Sequence, residues 1–434
     1  VTSSPRPARR LMTALALLLP ATACGLGGGT QDPPLAVLGP WTGAEERDFE
    51  RQLASFEETY GIDVAYEGTT ATRDVLLSGV QSGDPPDIAI LPGLGDLADY
   101  AARGLLYPLP GDAVPSGAFD APWLARPAGP EEERYWVPVK VDLKSMVWHE
   151  AGLDPARGGP PGVAQWCLGM LSDATSGWPG TDWIEDILLQ QSGADVYNAW
   201  ATGQLPWTDE AVVAAWETWG TFMAGDEEAA PAALRTDHRG RDGRGGLLLD
   251  GGSGPDGCTL EHQGSFARSL YDAEDARRLD FTPSARLLPG AAPDAGRDVE
   301  VSADFAALFR ENEDAETLLA FLADVETQTA RAGAAEDPGP GQAAEWPLFS
   351  AHNEVLPAHY PAGVSRRIAE QLHGAERLCL DASDVMSPTV GRLFYEKVLE
   401  FLADPLQDPE GLLAEIQLIQ DQPPHVPALE QVCG

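Results

Sequence analysis

Between residues 35 and 102, short apolar runs alternate with amphipathic stretches, and this alternation constrains the fold more than any other feature of the chain. Residues 35–38 read as a strand ending at Gly39-Pro40-Trp41-Thr42-Gly43. Phe49, Leu53, Phe56 and Tyr60 then recur at spacings of 4, 3 and 4, which is one face of a helix, and Gly61 ends it. Residues 62–66 form the next strand, ending at Glu67-Gly68-Thr69-Thr70, and a second helix covers 72–82. Residues 87–91 are a third strand, followed by a short helix to 102. The order β-α-β-α-β-α requires a parallel sheet with right-handed crossovers. Ligands of such sheets sit at the carboxyl ends of the strands, here Trp41-Thr42, residues 67–70 and residues 92–95.

Further along, residues 136–141, 145–149 and 300–304 read as strands. Helices are expected over 182–192, 209–224, 313–327, 393–402 and 409–418. In the second of these, Val212, Ala215, Trp216, Trp219, Phe222 and Met223 share an apolar face and read as core. Residues 237–257 and 333–345 are polar, loosely patterned loops.

Charge excludes whole classes of partner. The 434 residues hold 28 Lys+Arg against 68 Asp+Glu, a net charge of −40. Such a surface repels phosphate backbones and anionic headgroups, so nucleic acid and electrostatic membrane adsorption are excluded as partners. Acidity this strong can mean disorder, but 43% hydrophobic residues and 12 Trp support a large buried core.

Residues 1–24 read as a secretory signal. Arg6, Arg9 and Arg10 precede an apolar run at 11–19 that is shorter than the about 20 residues a membrane span needs. Ala21-Thr22-Ala23-Cys24-Gly25 resembles a bacterial lipobox, in which Cys24 becomes the lipid-bearing first residue. An ordinary signal cleaved after Ala23 is the other reading. Residues 25–34 are a Gly-rich tether. Four cysteines remain, Cys167, Cys258, Cys379 and Cys433. An even count outside the cytoplasm suggests two disulfides. Of the three pairings, Cys167–Cys258 with Cys379–Cys433 is favoured because each pair falls in one half of the chain; buried free thiols are the alternative. No Cys/His cluster suggests a metal, and no cofactor is expected.

Several motifs occur in one order along the chain: Trp41-Thr42-Gly43 leading to Tyr60-Gly61-Ile62-Asp63-Val64, then Ser82-Gly83-Asp84-Pro85-Pro86-Asp87-Ile88-Ala89, then Val137-Pro138-Val139-Lys140 through Val147-Trp148. Gly177-Trp178-Pro179-Gly180-Thr181-Asp182-Trp183-Ile184-Glu185-Asp186 is the most specific. Residues 258–266, Val301-Ser302-Ala303-Asp304 and Asp381-Ala382-Ser383-Asp384 complete the series. With these the chain resembles the extracellular solute-binding proteins of ABC importers, in the branch related to maltose- and α-glucoside-binding proteins. It departs in the long 237–257 loop and in Ser387 between Met386 and Pro388. The resemblance implies an α/β, two-domain periplasmic-binding-protein-like fold with ligand in the cleft between domains and several hinge crossings. It implies domain I over 35–137 plus 299–345, and domain II over 138–298 plus 346–434. It also implies a non-enzymatic, monomeric protein that closes on a carbohydrate and presents it to permease subunits driven by a cytoplasmic ATPase.

Sugar rings offer apolar C–H faces and hydroxyl edges, so their sites need aromatic planes beside carboxylates or amides. Buried carboxylate–hydroxyl bonds contribute about 1.5–3 kcal/mol each. Trp178 and Trp183 are candidate stacking planes, with Asp182 as hydroxyl acceptor; the alternative is that both rings are core and Asp182 an N-cap. Thr181 is a candidate cap. Trp41 is a candidate domain-I wall, or packs beneath its loop, and Glu67 is a candidate acceptor. Lys140 and Asp142 fit a hinge salt bridge as well as ligand contact, and Asp304 belongs to a second crossing. Gln263, Asp384 and Phe394 complete the candidates. A secreted glycoside hydrolase is one rival, but Asp182 and Asp186 fall on one helix with no opposed carboxylate motif. A polyamine- or peptide-binding protein is another.

Overall fold

The structure, a computed structural model, describes residues 33–434 except 112, 126–132, 158, 241–242, 244, 249–256, 294, 335–345 and 423–428. The signal, Cys24, nearly all of the tether and most of the 333–345 loop lie outside the described residues.

Strands β1 (Leu35–Gly39), β2 (Val64–Gly68) and β3 (Ile88–Leu91) are connected by helices α1 (Ala44–Tyr60) and α2 (Thr72–Ser82), with α3 (Leu94–Ala102) following β3. β1 lies between β2 and β3 and is parallel to both, as the alternation requires. Phe49, Leu53 and Phe56 turn the apolar face of α1 into the core, while Tyr60 at its end is exposed. β3 is buried throughout, whereas β2 is an edge strand that alternates half-buried and exposed residues.

β4 (Trp136–Leu143) and β5 (Met146–Glu150) are separated only by Lys144 and Ser145, yet they belong to different sheets. The chain therefore passes from one sheet to the other at Lys144-Ser145, beyond the boundary expected at 138. After α4 (Trp178–Ala201), α5 (Glu210–Met223) and α6 (Ala229–Ala233), β6 (Leu260–His262), α7 (Ala273–Ala276) and β7 (Leu279–Pro283) complete a three-stranded sheet ordered β6-β5-β7. β8 (Asp298–Leu308) then returns to the first sheet, antiparallel to both β3 and β4. The sheet is therefore mixed rather than wholly parallel. Helices α8 (Glu313–Ala323), α9 (Val325–Ala332) and α10 (Val364–Gly374) lead to β9 (Arg377–Leu380), which lies parallel to the start of β8. Helices α11 (Ala382–Val385), α12 (Pro388–Ala403) and α13 (Glu410–Gln420) follow.

Two expected helices differ in extent. The helix expected over 182–192 begins at Trp178, because Pro179 fits a first turn that has no use for its amide proton, and it bends at Gly193 (φ 79°, ψ 169°). Thr181 lies inside it and donates to the Trp178 carbonyl instead of capping. The helix expected over 313–327 is two helices. Asp324 is extended (φ −69°, ψ 143°), and its carboxylate accepts from the Glu326 and Thr327 amides, capping α9.

The aromatic core between α4, α5 and α12 absorbs two candidate ligand residues. Trp183 is 2% exposed; it stacks on Phe222 at 5.4 Å and meets Trp166 edge-on at 4.8 Å. Phe394 is wholly buried among Trp200, Trp207 and Trp216. Helical periodicity points both rings inward, where each contributes about 1.5–3 kcal/mol of burial. The structure joins Cys167 to Cys258 and Cys379 to Cys433. The second bond ties the chain's end to β9, flanked by mutual Leu378–Gly434 backbone bonds. With 91 and 54 residues between the partners, loop entropy gives each bond about 4–5 kcal/mol of stabilisation.

Candidate functional site

Lys140, Asp142 and Lys144 occupy alternate positions along β4 and its end, all buried. Lys140 Nζ lies 2.7 Å from Glu45 Oε1 in the first turn of α1 and 3.2 Å from Asp142 Oδ2. Asp142 also accepts from Ser265 Oγ at 2.6 Å, and Asp304 faces Lys140 across the β4–β8 ladder. Trp41 Nε1 donates to Asp304 at 2.8 Å, so the ring is pinned edge-first beneath its loop, against Phe49. A small pocket, about 30 Å³ in cavity volume, opens beside this row. Glu45, Lys140 and Asp142 supply its polar wall, and Phe266, Trp346 and Phe349 its aromatic one. The Arg268 guanidinium lies 4.3 Å from the centre of the Trp346 ring.

At the passage itself Lys144 Nζ reaches Asp182 Oδ2 at 2.5 Å and Asp381 Oδ2 at 3.1 Å. It lies 4.9 Å from the Trp178 ring centre and 5.7 Å from that of Phe266. Trp178 is half-buried, with its ring 4.7 Å from His238 and 5.8 Å from Phe266. Phe266 thus stands between Trp178 and the pocket. Gly177 holds the start of α4 here: its φ of 109° disfavours any side chain, and a Cβ would fall 2.4 Å from the Tyr395 carbonyl. Glu185, one turn along, accepts from the Ala382 and Ser383 amides at the head of α11. Asp186 accepts from Ser145, Gln190 and His262.

A third group joins α2 and α3 to α11. Arg73 donates to Asp96 at 2.6 Å and to Asp384 at 3.3 Å. Gly95 lies so close to this segment that a Cβ would sit 1.8 Å from the Met386 carbonyl.

Of the sequence-predicted residues, Trp41, Trp178, Asp182 and Asp384 gather around this passage, together with Lys140, Asp142 and Asp304. Gln263 is buried close by, but it donates its amide to His238 O and Glu261 Oε1. Glu67 is exposed on edge strand β2, away from these groups because strand alternation turns it to solvent. Trp183 and Phe394 are core. Sequence reasoning missed Arg73, Phe266, Trp346, Asp381 and above all Lys144. The available signal was a lysine, one of three in the chain, continuing the alternation of Lys140 and Asp142.

Burial raises several carboxyl pKa values. Asp304 is pushed up to about 6 against the pull of Lys140 and Trp41. Glu261, on β6, rises to about 8 despite its bond from Tyr271. Asp384 rises to about 7, through burial and then the Asp381 charge, opposed by Arg73 and Lys144. Such groups keep protons in the folded chain that the unfolded chain has released, so their stabilisation is lost as pH rises toward the folded value. His238 acts oppositely, lowered by burial to about 4 from 6.5, but only below 6.5. Stability to urea should therefore fall between about pH 6.5 and about pH 8, and Glu261→Gln should make the decline shallower. Stability that rises across that window would contradict this assignment.

The bacterial extracellular solute-binding protein family matches residues 41–329. The osmoprotective compounds-binding protein GgtB of Synechocystis sp. is 29% identical over 421 residues, covering 91% of this chain and 95% of GgtB. The alpha-glucosides-binding periplasmic protein AglE of Rhizobium meliloti is 34% identical over 266 residues, 55% of this chain and 57% of AglE. Among solved structures, a chitin oligosaccharide binding protein shares the fold with a TM-score of 0.68 at 18% identity, covering 89% of this chain and 98% of its own. The solute receptor AcbH does so with a TM-score of 0.67 at 15% identity, covering 88% and 96%. The chain belongs to the bacterial extracellular solute-binding protein family.

Proposed function

We propose that this protein captures an uncharged carbohydrate, a gluco-configured di- or oligosaccharide, and delivers it to the permease of an ABC importer. The observation that carries this reading is the pocket beside β4, where aromatic rings face an ion-paired row of Lys140, Glu45 and Asp142. Aromatic planes suit C–H faces and buried carboxylates suit hydroxyl edges. Lys140 is shared between Glu45 and Asp142, so both carboxylates are already ion-paired, which favours a neutral ligand over a polyamine. GgtB and AglE, named for osmoprotective compounds and alpha-glucosides, support the same ligand class.

Capture works by domain closure. One body is built on the six-stranded sheet and the other on the three-stranded sheet, hinged where β4 gives way to β5. Ligand binds the closed arrangement better and shifts the population toward it. The chain binds rather than reacts: Asp182, Glu185 and Asp186, the tempting hydrolase residues, are each engaged by a neighbour. It acts as a monomer, exported and held to the outer face of the cytoplasmic membrane by lipid on Cys24. Replacing Cys24 by Ser should release it from the membrane fraction; unchanged retention would exclude the anchor.

Thermal unfolding of the mature protein with mono-, di- and trisaccharides tests the reading. A ligand at 100 times its Kd adds about 2.7 kcal/mol of stability. Trp346→Ala, which removes an aromatic wall of the pocket, should weaken binding by about tenfold, near 1.4 kcal/mol. No response to any carbohydrate, or release of product sugars, would overturn it.

A further inference from the structure

We propose that Asp182, Glu300 and Asp381 form a binding site for a hard divalent cation of the calcium or magnesium class, placed where the chain passes between its two sheets. One carboxylate oxygen from each residue lies within 4.8 Å of the others. Calcium–oxygen bonds of about 2.3–2.6 Å span such a separation around a single ion. All three residues are buried, and Glu300 is 0% exposed.

Bonding within the cluster is uneven. Glu185 has the Ala382 and Ser383 amides and the Tyr197 hydroxyl, and Asp186 has Ser145, Gln190 and His262. Lys144 approaches Asp182 and Asp381 through their Oδ2 atoms alone. Asp182 Oδ1 and both carboxylate oxygens of Glu300 have no hydrogen-bond partner among the described residues. A buried anion without a partner is costly, so it takes either a proton or a counter-ion. Three ionised carboxylates and one ammonium leave two negative charges, which one divalent cation cancels. The donors are all carboxylate oxygens, with no Cys or His, which selects a hard ion over zinc or copper.

The placement gives such an ion leverage on the fold. Asp182 is on α4, Asp381 follows β9, and Glu300 is on β8 next to Lys144-Ser145, whose amides both donate to its carbonyl. One ion would bond three segments that meet at the passage. Its binding is independent of which solute the protein carries.

The test uses the mature chain, stripped with EDTA and held in about 0.15 M NaCl to screen the acidic surface. Thermal unfolding is followed while CaCl₂, and separately MgCl₂, is added to wild type and to Glu300→Gln. The proposal expects saturable stabilisation of wild type by at least one ion, with the apparent affinity at least tenfold weaker in the variant. Glu300 is buried, so its replacement leaves ion binding to surface acids unchanged. Equal responses from the two proteins, or none from either, would overturn the site. If the variant does not fold, native mass spectrometry of the calcium-loaded wild type decides, with one retained ion in support and none against.

Discussion

The ammonium of Lys144, held between Asp182 and Asp381, is the contact on which the rest of the structure depends. It sits at the point where the chain leaves the six-stranded sheet for the three-stranded one, and it binds the head of α4 and the end of β9 to that point. Removing one partner from a buried ion pair costs about 3–5 kcal/mol, because the remaining charge is stranded. The same ammonium faces the Trp178 ring, which stays half-buried while nearly every other tryptophan is core. One charge thus fixes three segments and presents an aromatic plane.

On the proposed function, this arrangement lets so acidic a protein hold a neutral solute. Among the described residues, most of the acids lie outside the buried passage. Several of those inside it are matched by Lys140, Lys144 or Arg73, or by backbone amides as at Glu185, while the Glu300 carboxylate has no partner among the described residues. Matched charges offer hydrogen-bonding edges without a strong net field. Export and family membership fit the disulfides, one of which locks the chain's end onto β9 beside the passage.

The opening β-α-β-α-β-α was legible because each of its elements repeats a simple period: Phe49, Leu53 and Phe56 for the helix, the continuous run at β3 for a central strand. β6 and β9 were not, being three and four residues long and recognisable only through their ladder partners. The Gly177–Asp182 segment, which meets Lys144 at the passage, stands out in the sequence because its Gly, Pro and Trp residues have few uses together. Trp183 and Phe394 were misplaced because an aromatic residue reads the same in a core as in a cleft; the helix face decides, and that needed the start of α4. Lys144 and Asp381 were missed because their pairing spans more than two hundred residues, and no local pattern encodes it.

The most direct test is a crystal structure of the mature chain with the sugar it binds best. The sugar ring is expected in the pocket beside β4, between Phe266 or Trp346 and the Lys140–Asp142 row. A sugar bound on the outer surface, away from the passage between the sheets, would contradict it.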